Sequence, residues 1–132
     1  MYNLNGKVAG APPALATMVR EVDEMAKFLL HGAYTLDGMR GLLLTGGSSR
    51  RSHFAENVGK LGGKVESFYY AFGADDVYTI VDVPDNVSGL ALSMALGAGG
   101  AFNPTVTVLI TPEEVDEAAQ KVPSVDYAPP SR

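Results

Sequence analysis

The chain has 132 residues, 46% of them apolar and 19% charged, which is enough for one hydrophobic core and too apolar for disorder throughout. Ten Lys plus Arg against fifteen Asp plus Glu give a net charge of −5, the wrong sign for general binding to a phosphate backbone, so no nucleic-acid partner is expected. With no Cys there is no disulfide, thiol nucleophile or thiolate metal centre, and two His leave little for an imidazole site, so neither metal nor cofactor is expected.

No stretch reaches the ~18 uninterrupted apolar residues of a membrane span, and the first residues lack the basic start and apolar run of an export signal. No membrane partner is expected, and the cytoplasm is the expected address. Residues 1–24 stand apart. Leu15, Met18, Val19, Val22 and Met25 recur at helical spacing behind Pro12-Pro13, which reads either as a short amphipathic helix or as a leader ahead of a start at Met25.

From Lys27 the pattern is regular. Lys27 to Tyr34 reads as a strand, and Met39 to Leu44 as a short apolar turn of helix broken at Gly46-Gly47. Ser48 or Ser49 is the expected cap of a helix to about Leu61, with Phe54, Val58 and Leu61 as its apolar stripe and Gly62-Gly63 as its stop. Lys64 to Phe72 and Val77 to Val83 read as strands, and the four residues Gly73-Ala74-Asp75-Asp76 between them favour an antiparallel hairpin. Pro84-Asp85-Asn86 opens a second helix with Leu90, Ala91, Met94 and Ala95 on one face. A fourth strand is expected over Thr105 to Thr111. Thr111-Pro112-Glu113-Glu114 has the spacing of a capping box and begins a last short helix, and 122–132 is a Pro-rich tail expected to be flexible.

The order strand, helix, strand, strand, helix, strand is the α+β split βαβ or ferredoxin-like arrangement, spanning residues 25–121. Two helices cover one sheet face and leave the other bare. Glu66, Phe68, Tyr70 and Phe72 share one parity of the second strand, and Val65, Ser67, Tyr69 and Ala71 the other, so both faces carry apolar or aromatic groups. A sheet apolar on two sides needs a second cover, so pairing with another copy of the chain is expected.

The blocks Met25-Ala-Lys-Phe-Leu-Leu-His-Gly-Ala-Tyr-Thr35, Gly46-Gly-Ser-Ser-Arg-Arg51, Leu61-Gly-Gly-Lys-Val-Glu-Ser-Phe-Tyr69, Asp76-Val-Tyr-Thr-Ile-Val-Asp82 and Leu109-Ile-Thr-Pro-Glu-Glu-Val-Asp116 resemble the GYD domain family. The resemblance runs from Met25 to about Lys121. It implies a subunit of the dimeric α/β-barrel type, ferredoxin-like and paired sheet to sheet, but not a reaction. Where the family's signature is Gly-x-Tyr-Asp, this chain has Gly73-Ala74-Asp75-Asp76, with Asp75 in place of the Tyr, so no role of that Tyr carries over.

The candidate chemistry is concentrated at Gly46-Gly47-Ser48-Ser49-Arg50-Arg51-Ser52-His53. Open backbone N–H groups, the positive end of a helix and two Arg with a His in its first two turns suit an anion, although a solvated basic face is the commoner use of such residues. Arg50 and Arg51 flank the apolar stripe on opposite sides, and His53 points further round. Gly47, Ser48, Arg50, Arg51, His53 and Tyr70 are therefore the candidate ligand-binding residues. His31 is a candidate acid or base on a sheet face, with Tyr34 a hydrogen-bond donor; a structural His and packed tyrosines are the plainer readings. Asp75 and Asp76 read as turn-closing carboxylates, with no loop of the kind that holds a hard cation. The expected function is a small homo-oligomeric domain binding an acidic or aromatic metabolite. The alternatives are a cofactor-independent enzyme and a purely structural assembly domain.

Overall fold

The computed structural model describes residues 25–131, so the reading of 1–24 as a helix or a leader lies outside the described residues. Four strands form one antiparallel sheet: β1 (Ala26–Tyr34), β2 (Lys64–Tyr70), β3 (Val77–Val83) and β4 (Phe102–Leu109), in the order β2-β3-β1-β4. Helices α1 (Leu36–Thr45) and α2 (Gly47–Lys60) join β1 to β2, α3 (Asn86–Ala98) joins β3 to β4, and α4 (Pro112–Lys121) follows β4. This is the ferredoxin-like arrangement.

Alternation along β1 sets the two faces. Phe28 and Leu30 are buried beneath the helices, where they join Val58 of α2, Val77, Val81 and Val83 of β3, Leu92 of α3 and Phe102 of β4. Lys27, Leu29, His31 and Ala33 alternate with them and point to the bare side. Close approach fixes two glycines. A Cβ on Gly32 would lie 2.0 Å from the Asn103 carbonyl oxygen of β4, and one on Gly89 of α3 would lie 2.5 Å from the Phe28 ring.

The structure departs from the sequence reading at five places, each with a local cause. First, α1 is longer than expected, because Thr35 caps it by accepting from the Gly38 N–H at 3.2 Å. Second, α2 is capped by Gly46 rather than by Ser48 or Ser49. Gly46 alone separates α1 from α2, its φ of 86° turns the chain in a way that favours glycine, and both serines fall inside the first turn.

Third, β2 ends at Tyr70, since the Ala71 N–H donates to the Asp76 carbonyl in the hairpin and Phe72 stands fully exposed. Parity along β2 also breaks. Val65 pairs with Val81 and Ser67 with Ile80, so Glu66 is an extra residue in a bulge. Val65, Phe68 and Tyr70 thereby face the helices, while Glu66, Ser67 and Tyr69 face the bare side.

Fourth, α3 presents Gly89 and Leu92 to the core rather than Leu90 and Met94, which are 60% and 63% exposed. The close seat of Gly89 on Phe28 sets that rotation. Fifth, β4 begins at Phe102 despite Pro104, because β4 is an edge strand and edge positions tolerate a residue without an N–H. The capping box of α4 forms as its spacing suggests: Glu114 N–H donates to Thr111 Oγ1 at 3.1 Å, and Thr111 N–H donates to Glu114 Oε1 at 3.2 Å. Beyond α4 a single 3-10 turn spans Val122–Ser124.

Candidate functional site

The Gly46-Gly47 junction places the start of α2 over the end of β2. The Tyr70 ring lies beneath it, so close that a Cβ on Gly47 would come within 2.9 Å of the ring, and the Tyr70 hydroxyl donates to the Gly47 carbonyl at 3.0 Å. Arg50 and Arg51 straddle the stripe of α2, as their positions in the helix require. Arg51 turns towards the β2 edge, where it lines a shallow pocket with Gly47, Ser48, Phe68 and Tyr70. Arg50 turns the other way, towards α3.

Between the helices and the sheet lies a cavity of about 290 Å³. Leu30, Phe54, Phe68, Val77, Leu96 and Phe102 supply most of its wall. Its polar groups are few: Arg50, Tyr34 and Thr79. The Thr79 hydroxyl is committed, donating to the Ser67 carbonyl at 2.7 Å. Aromatic contacts stiffen the wall, with Phe54 5.6 Å from Phe68, Phe68 edge-on to Tyr70 at 5.3 Å, and Tyr34 edge-on to Phe102 at 5.4 Å between ring centres. Burial pushes the Tyr70 phenol up to about 12, and the neighbouring Tyr34 adds to this against the opposing pull of Arg50 and Arg51. Tyr70 is therefore a neutral donor at physiological pH. Among the described residues no carboxylate lies within 4.0 Å of either guanidinium.

His31 belongs to the other side of the sheet. Its ring stacks on Tyr78, its partner across the β1–β3 ladder, at 5.3 Å and 9°, and its Nδ1 lies 2.5 Å from Asp75 Oδ2. With Nδ1–H donating to that carboxylate, Nε2 is left as the proton acceptor, an arrangement known from oriented general bases. The hairpin that carries Asp75 is fastened to β1: the Asp76 N–H donates to the Gly32 carbonyl at 2.8 Å, and Asp76 Oδ2 accepts the Tyr34 N–H at 2.9 Å. Lys27 bridges Glu66 and Asp82 on this same side, 2.9 Å from Asp82, and both carboxylates hold its ammonium above the ordinary lysine range.

The candidate residues thus divide. Gly47, Ser48, Arg51 and Tyr70 meet at the α2 start, and Arg50 and Tyr34 meet in the cavity behind it. His53 lies outside both, on a groove between α2 and α3. His31, singled out as an acid or base, and Tyr34, singled out as a hydrogen-bond donor, point to opposite faces of the sheet. The residue that the sequence reading passed over is Asp75, taken for a turn-closing group; its signal was present as the departure from the signature Tyr. Among the described residues no group of three His, Asp or Glu is placed to hold a metal ion.

No curated protein and no solved structure matches the chain. One family model does, that of the GYD domain, over residues 28–119, which takes in β1 from Phe28 onward, the other three strands, the cavity, the α2 start and the hairpin bearing Asp75. The chain belongs to the GYD domain family.

Proposed function

We propose that this protein is a homo-oligomeric binding module whose helix-sheet cavity takes a small, predominantly apolar or aromatic acid. The observation that carries this reading is Arg50, a guanidinium at the wall of a cavity of about 290 Å³ otherwise built from aliphatic and aromatic side chains. Small-molecule sites commonly combine apolar walls with a few polar groups that fix orientation. Arg50 supplies a planar, permanently charged donor set for a carboxylate, and the Tyr34 phenol lies in the same cavity wall. Assembly is supported by the bare sheet face, where Tyr69 and Tyr78 are 70% and 41% exposed.

The test is binding of benzoate and its neutral counterpart benzyl alcohol, followed by calorimetry and thermal shift on wild type and Arg50→Gln. The expected result is preference for benzoate, weakened at least about tenfold by the substitution, as loss of one charge-assisted hydrogen bond implies. Equal binding of the two compounds, or an Arg50→Gln variant that binds benzoate as well as wild type, overturns the reading. No binding of either compound, together with a filled cavity in the assembled protein, leaves a structural assembly domain.

A second reading is favoured by the His31–Asp75 pair: cofactor-independent proton-transfer chemistry on the bare face, enclosed there by a second copy. It requires turnover that His31→Gln abolishes and Arg50→Gln leaves in place.

A further inference from the structure

Helix α4 buries none of its residues against the other described elements. Every residue from Pro112 to Lys121 is exposed, yet the helix is closed by a complete capping box, and Val115, Ala118 and Ala119, with Val122 just beyond, form an apolar stripe along one side. Its other sides carry Glu113, Glu114, Asp116 and Glu117. An acidic amphipathic helix held clear of its own domain is the kind of element that completes its core elsewhere.

The complementary surface lies between α2 and α3. A groove of about 470 Å³ runs there, with Arg50, His53, Asn57 and Lys60 on one wall and Ala91, Leu92, Ala95 and Leu96 on the other. The first four recur at i, i+3, i+7 and i+10 and so form one polar, cationic edge of α2. The second wall is uncharged, since no Asp, Glu, Lys or Arg occurs in α3, and its alanines permit the close approach that helix packing requires. Val87, Leu90 and Met94 extend this apolar surface outwards and are 75%, 60% and 63% exposed. The exposed leucines of α1, by contrast, accompany Asp37 and Arg40 and offer no net charge.

We infer that α4 of one copy docks in the α2–α3 groove of a second copy, its apolar stripe against Ala91, Ala95 and Leu90 and its acidic flank along His53 and Lys60. Charge selects this seat: four acidic residues on an exposed helix meet a cationic edge on an otherwise acidic chain. The contact is distinct from pairing through the bare sheet face and does not require the cavity to hold a ligand.

The chain lacks cysteine, which makes the test direct. Ala91→Cys and Val115→Cys are introduced together in the full chain and exposed to a mild oxidant, and the products are separated without reductant. The expected product is a covalent dimer, seen also when the two single variants are mixed and absent from each alone. His53→Glu with Lys60→Glu lowers its yield about tenfold by setting like charges face to face, and adding Asp116→Lys with Glu117→Lys restores it. An intrachain disulfide, which runs as a compact monomer, overturns the inference in favour of α4 folding back on its own subunit. Absence of any cross-link overturns it, and so does a cross-link that forms only once residues 1–24 are removed, since the groove's occupant is then that leading segment.

Discussion

The two faces of the sheet are built from the same four strands and obey different physics. The face under the helices is held by shape: Phe28, Leu30, Val81 and Val83 are almost completely buried, and its cavity is walled by aromatics packed edge-on and tilted against one another. The bare face is held by polar contacts, with Lys27 paired to Glu66 and Asp82 and His31 hydrogen-bonded to Asp75. One residue of β2 decides how the two are kept apart. The bulge at Glu66 brings that carboxylate round to Lys27 and lets Phe68 and Tyr70 turn under α2. Without it, strict alternation would place a charge in the cavity wall.

The difference is open to attack from either side, beginning with the largest effect. Phe28→Ala removes a ring packed against Gly89 and should cost about 3–5 kcal/mol in urea-induced unfolding, whereas Ile80→Ala on the bare face should cost well under half of that. Equal losses would mean that the bare face is as tightly packed in solution as the covered one, as the proposed pairing through it would require. Lys27→Ala leaves Glu66 and the nearly buried Asp82 side by side as like charges, and a loss of about 1–3 kcal/mol at neutral pH is expected. Adding Asp82→Asn to it should recover part of the loss.

Alkaline titration separates the faces by a different route. The Lys27 ammonium is favoured by its carboxylates, so its contribution is complete below about 10.5 and disappears as pH rises through its higher folded value. Tyr70 is neutral in the fold up to about 12, while the unfolded chain ionises it near 10, so stability again falls across that window. Tyr70→Phe should remove the component between 10 and 12, read as a missing late step in tyrosinate absorbance. Lys27→Met should flatten the remaining decline, read by chemical denaturation along the same pH series. The smallest effect is expected from Asp75→Asn, which should cost less than about 1 kcal/mol because His31 and Asp75 are both partly open to solvent. A larger loss would make this pair a structural clamp for the hairpin.

Much of the fold was legible because local signals agreed with one another. The β-branched run of β3, the glycine stop of α2 and the capping box of α4 each name their element without help from the rest of the chain. What escaped was decided by contacts distant in sequence. The rotation of α3 follows from Gly89 meeting Phe28, the parity of β2 from a bulge, and the start of β4 from its place at the sheet edge. The site divides in the same way. Arg50 and Arg51 were readable as a pair on opposite flanks of one helix, since helical geometry alone puts them there. The meeting of Tyr34 and Tyr70 beside them depends on strand order, and that of His31 and Asp75 on the seat of the hairpin against Gly32, which neither spacing nor composition encodes.

Pro104 has a consequence of another kind. A four-stranded sheet ends in two rows of backbone groups, each a template on which a foreign strand can grow into a ribbon. Here one border carries a residue with no N–H to offer, and the other, β2, is bent by the bulge at Glu66. The assembly proposed above, through the helices and the bare sheet, would use neither border, and borders unsuited to adding a strand separate such controlled assembly from fibril growth.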